Sequence, residues 1–124
     1  MTPFIWLLVA HLLGDWIFQT DYQALNKARG GLNRALITHC LTYTLTFMPV
    51  FWLSGISLGW LAFIFVAHVF IDRRAPVIWF LKRVKGMSDE ALKKAFFMVI
   101  MTDQVIHVVT LVVVVVATYG WLTK

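Results

Sequence analysis

The stretch "VAHLLGDWIFQTD", Val9 to Asp21, decides how the chain is read. Most of it is soluble in lipid. Yet it carries His11, Asp15 and Gln19, three polar side chains spaced four apart. Residues at that spacing lie one turn apart on one helix face. An imidazole and a carboxylate on one stripe of an apolar helix require partners elsewhere in the chain.

The rest of the chain makes that helix a membrane segment. Of 124 residues, 60% are hydrophobic and 14% are charged, and the mean hydropathy is +0.80. A soluble domain of this length cannot hide so much apolar surface. Four spans are expected, over about residues 3–20, 34–53, 58–72 and 95–119, each near the roughly 20 residues that cross a hydrocarbon core. Pro49 should bend the end of the second, and Ser54 to Ser57 forms a tight turn. The expected fold is a single all-α domain over residues 1–124, an integral membrane four-helix bundle. The first span lacks a basic leader and a small-residue cleavage site, so it is expected to be retained. Cys40 is the only cysteine, which excludes an internal disulfide.

Residues 73–94 form the one long connection. Within it "APVIWFLKRVKG" reads as a short interfacial helix, with Pro76 in its first turn and Gly86 at its stop. Ser88 then reads as the N-cap of the fourth span. Ten of the eleven Lys and Arg fall in the two connections that share one side; only Lys124 lies opposite. The positive-inside rule places those connections in the cytoplasm and both termini outside. The expected location is the cytoplasmic membrane, crossed several times. Nucleic acid is not an expected partner, because the basic residues flank spans and no soluble module carries them. Arg73, Arg74, Lys82 and Arg83 form a candidate contact for anionic lipid, with a topology signal as the plainer explanation.

All four histidines, His11, His39, His68 and His107, fall in expected spans, as do Asp15, Asp72 and Asp103. His11 pairs with Asp15, His68 with Asp72, and Asp103 with His107, each four apart. Asp15 sits five residues from the end of its span, roughly 7 Å deep. His39 lies at similar depth on the second span, so the seven groups share the cytoplasmic half. One His–Asp pair can be a private hydrogen bond. Seven ionisable groups at about 2.5–3.5 kcal/mol each are a heavy load for so small a protein.

Three crowded carboxylates repel unless protonated or neutralised by a cation. Imidazole with carboxylate suits zinc, iron(II) or manganese. The candidate ligands are His11, Asp15, His39, His68, Asp72, Asp103 and His107, enough for one or two divalent ions. Asp15, Asp72 and Asp103 are also the candidate catalytic groups. Gln19 and Gln104 are expected to support them by hydrogen bonds. Gly14 reads as small-residue helix packing.

"HLLGDWIFQTD", "NKARG", the His39 helix, "AHVFID" and "TDQVIH" together resemble the small bacterial and phage membrane proteins grouped as domain of unknown function 3307. The likeness spans nearly the whole chain. It implies a multi-span protein of the bacterial inner membrane and points to His11, Asp15, Gln19, His39, His68, Asp72, Asp103, Gln104 and His107, without implying an activity.

The expected function is a metal-dependent hydrolase acting on a lipid or lipid-linked phosphate or ester at the cytoplasmic interface. The alternatives are an ion or proton transporter, a non-catalytic module held together by a His/Asp cluster, and a metal-redox enzyme. Membrane lipid is the expected partner. Homo-oligomer formation is left open, since no interface motif decides it.

Overall fold

A computed structural model describes residues 2–120. Lys124, the one cation assigned to the opposite side, lies outside them. The described chain is all helix. Helix α1 (Pro3–Leu12) runs into a π turn (Leu13–Ile17), followed by α2 (Asp21–Asn26), α3 (Arg34–Ser54), α4 (Gly59–Asp72), α5 (Ala75–Arg83), α6 (Asp89–Lys94) and α7 (Phe96–Tyr119).

Helices α1, α3, α4 and α7 close a ring, α1 on α3, α3 on α4, α4 on α7 and α7 on α1. Neighbours run antiparallel, since the C-terminal end of α1 meets the N-terminal ends of α3 and α7. By length and composition α3 and α7 can each cross a membrane; Pro3–Ile17 and Gly59–Asp72 are shorter apolar helices. The 14 residues of α4 extend about 21 Å, against roughly 30 Å of hydrocarbon.

Two apolar clusters sandwich a polar layer. On one side Leu7, Ala10, Tyr43, Phe47, Phe51, Ile64, Leu111 and Val114 interlock. On the other, Val77 and Leu81 of α5 pack with Ile71, Leu92 and Val99. Between them lie the buried histidines and aspartates.

The elements depart from the expected boundaries in three places. The first helix stops at Ile17 rather than Thr20, because Thr20 caps α2 instead. Its hydroxyl accepts from Gln23 N–H while the Gln23 carboxamide accepts from Thr20 N–H. This reciprocal capping box nucleates a helix where a plain connection was expected. Ser88 is an N-cap, accepting from Ala91 N–H, but it opens α6. Ala95, with φ −112° and ψ 48°, breaks the chain before α7 begins at Phe96. The connection over residues 73–94 therefore holds two helices, α5 and α6. Helix α5 ends at Arg83, and Gly86, with φ 67°, falls in the turn that follows rather than at the helix stop.

Gly14 explains how closely α1 approaches α3. A Cβ there would lie 2.9 Å from Thr46 Oγ1 and 3.1 Å from Tyr43 Cα. Only a residue without a side chain fits.

Candidate metal centre

Asp15 is carried by the π turn, in which Phe18 N–H donates to Leu13 O across five residues. The extra residue per turn rotates Asp15 away from the register of an ideal helix. No hydrogen bond joins it to His11 among the described residues. His11 instead donates from Nε2 to Gln104 Oε1 at 3.1 Å and accepts at Nδ1 from the Tyr43 hydroxyl at 2.9 Å. Both of its nitrogens are thus occupied, and it stands outside the convergent donors described next.

Those donors are Asp15 Oδ1, His39 Nε2, His68 Nε2 and Asp72 Oδ2. His39 Nε2 lies 3.1 Å from each carboxylate oxygen and 3.0 Å from His68 Nε2. His68 Nε2 lies 3.2 Å from Asp72 Oδ2 and 3.9 Å from Asp15 Oδ1. All four residues are buried. One imidazole nitrogen offers one proton or one lone pair, so His39 cannot bond all these neighbours. Ligands about 2.0–2.2 Å from a shared tetrahedral zinc stand about 3.3–3.6 Å apart. The observed 3.0–3.9 Å separations are close to such a polyhedron, and the set could hold a divalent ion.

Asp15, Asp103 and His107 form a second group of suitable atoms. It is the weaker of the two. His107 Nδ1 donates to its own helix at Asp103 O, 2.8 Å away, which directs the free Nε2 toward Asp72 Oδ1 at 3.4 Å. His107 therefore faces the first group.

A cation already sits among the four donors. Lys27, one residue past α2, is 7% exposed. Its Nζ lies 2.7 Å from Asp72 Oδ2, 3.4 Å from Asp15 Oδ1 and 3.2 Å from His39 Nε2. Two of its three N–H groups have carboxylate acceptors, and the third faces His39 Nε2. Burial works against the charge, but Asp72 and Asp15 outweigh it and hold the Lys27 pKa above the ordinary lysine value. Reading the sequence as loops and spans counted Lys27 only toward topology. The signal that finds it is the Thr20–Gln23 capping box, which starts a helix and puts Lys27 one turn after buried Gln23.

Gln104 arranges the other side of Asp15. Its Nε2–H donates to Asp15 Oδ2 at 2.6 Å and to Asp103 Oδ2 at 3.4 Å. Its Oε1 accepts from Trp16 Nε1–H at 3.2 Å; an indole only donates, which fixes the amide orientation. Gln19 lies farther out, its Oε1 buried without a partner. Both glutamines border a cavity of about 260 Å³ that reaches Asp15, Asp72 and Asp103 from the α2 and α5 end of the bundle.

The four basic residues expected to meet lipid have different surroundings. Arg74 lines that cavity and its guanidinium sits over the Phe96 ring, 5.2 Å from the centroid. It adopts φ 59°, a left-handed conformation uncommon for a side-chain-bearing residue. Arg73 borders a neighbouring cavity beside Gly30 and Gly31. Lys82 pairs with Asp89, and Arg83 is exposed.

Residues 4–124 match the family described as protein of unknown function DUF3307, and the chain belongs to that family. Comparison with curated proteins and with solved structures gives no match.

Proposed function

We propose that the protein is a membrane-embedded metal-dependent hydrolase that acts on a lipid or lipid-linked phosphate or ester. The observation that carries this reading is the convergence of Asp15, His39, His68 and Asp72, whose two carboxylates border the 260 Å³ cavity. Zinc, iron(II) or manganese would suit the donors. One ion is favoured over two, because His107 Nδ1 is committed to its own backbone.

The membrane assignment rests on the distribution of side chains. Trp16, Ile17, Phe70 and Phe97 lie outside while all four histidines and Asp15, Asp72 and Asp103 lie inside. That is the reverse of a soluble domain. Helices α1, α3, α4 and α7 would be the four spans, in the bacterial inner membrane, with the cavity facing the cytoplasm.

A bound divalent ion would supply Lewis acidity and an activated water. Asp103 lines the cavity without joining the four-donor group, which suits a general base. Arg74 at the mouth suits an anionic substrate group. Transport is less favoured. The layer beyond the site, with Phe47, Phe51, Ile64, Leu111 and Val114, is apolar and offers ions no path.

Lys27 favours a second reading. With its ammonium paired to both carboxylates, the cluster could be a non-catalytic lock between helices. Purified protein in vesicles of bacterial polar lipid separates the two. Hydrolysis predicts metal-dependent release of phosphate or fatty acid, lost in Asp103→Asn while metal stays bound. Metal-independent silence of wild type and variant alike would support the lock.

A further inference from the structure

The Lys27 ammonium occupies the space that the four donors define. Its neighbours, Asp15 Oδ1, Asp72 Oδ2 and His39 Nε2, are three of the four candidate ligand atoms. Shared ligand atoms make the two occupants exclusive. An ion bound by Asp15 Oδ1, Asp72 Oδ2 and His39 Nε2 would leave the buried ammonium without its carboxylate acceptors, a costly arrangement.

Lys27 also has somewhere to go. It borders both the 260 Å³ cavity and a second of about 160 Å³ lined by Ala28, Gly30, Gly31, Arg73 and Ala75. The backbone around it is tied to the start of α3. Asn33 Nδ2–H reaches Asn26 O, Lys27 O and Arg29 O, 3.1, 3.4 and 3.2 Å away. Gln23 reaches Thr38 at 3.4 Å. The Lys27 ion pairs are the deepest anchor of α2.

We propose that Lys27 is the resident cation of the site, that a divalent metal must displace it to bind, and that displacement loosens the α2 segment. Lys27 thereby sets the site's metal affinity and couples metal loading to the chain that covers the cavity. The proposal rests on the metal-binding reading of the four donors.

The test measures zinc and manganese affinity for wild type, Lys27→Met and Lys27→Gln in detergent, with amide hydrogen exchange over residues 21–33. Removing the competitor should tighten metal binding about tenfold or more, the size of one charge-assisted hydrogen bond. Metal should speed exchange over residues 21–27 in wild type. In the variants exchange should be fast without metal and unchanged by it. Lys27→Gln serves if Lys27→Met does not fold. Equal or weaker affinity in the folded variants, with metal bound by wild type, overturns the proposal alone. No metal in any folded form overturns the metal-binding reading beneath it, and the proposal with it.

Discussion

Gln104 Nε2 lies 2.6 Å from Asp15 Oδ2, joining α7 to the π turn of the first helix. The same carboxamide accepts from His11 and Trp16. It therefore fixes which oxygen of Asp15 faces Lys27, His39 and His68. Gln104→Ala should weaken metal binding about 10–100-fold, the usual loss when a group orienting a ligand is removed. Equilibrium dialysis on the folded variant checks this. Gln19, without a hydrogen-bond partner on its Oε1, should give a smaller effect on the same assay.

Gly14→Ala sets two effects against each other. Alanine favours helix over glycine by about 1 kcal/mol. The new methyl would meet Tyr43 Cα, a backbone atom that cannot rotate aside, and Thr46 Oγ1. Overpacking of this kind costs about 1–3 kcal/mol, so a net loss is expected. A lower thermal midpoint in detergent, partly restored by Thr46→Ala, would agree; an unchanged or higher midpoint would not.

Asp72→Ala leaves Lys27 buried beside one carboxylate instead of two. Breaking a buried pair costs about 3–5 kcal/mol. The double variant Asp72→Ala, Lys27→Met removes the stranded charge and should recover much of that stability. A double-mutant cycle from denaturant unfolding reads the coupling.

Alkaline pH probes the same lysine. Its pKa is raised in the folded chain above the ordinary value of 10.5. The stability it adds is fully present below that value and is lost as pH rises through the folded pKa. Wild type should therefore lose stability above pH 10.5 more steeply than Lys27→Met. Parallel pH profiles would show that the ammonium contributes little.

Much of the site was legible because helix periodicity is simple. His68 and Asp72, four apart, do meet, at 3.2 Å. His107 and Asp103, also four apart, meet at 3.4 Å. His11 and Asp15 share that spacing yet take different partners, because the π turn lies between them and nothing in "HLLGD" announces it. His39 had no partner in sequence; its place followed from depth alone. Lys27 escaped because a lysine beside a span ordinarily faces solvent. Its burial depends on α2 folding back over the cavity, a tertiary event. The helix break at Ala95 and the left-handed Arg74 are likewise not announced by local preference.

The most direct measurement is the metal content of protein purified without added metal or chelator, for wild type, Asp15→Ala and His68→Ala side by side. One equivalent of zinc, iron or manganese in wild type, lost in both folded variants, is the expected result. Absence of metal from folded wild type even after loading with each ion would contradict a metal centre at Asp15, His39, His68 and Asp72, and leave Lys27 as the cation that the cluster serves.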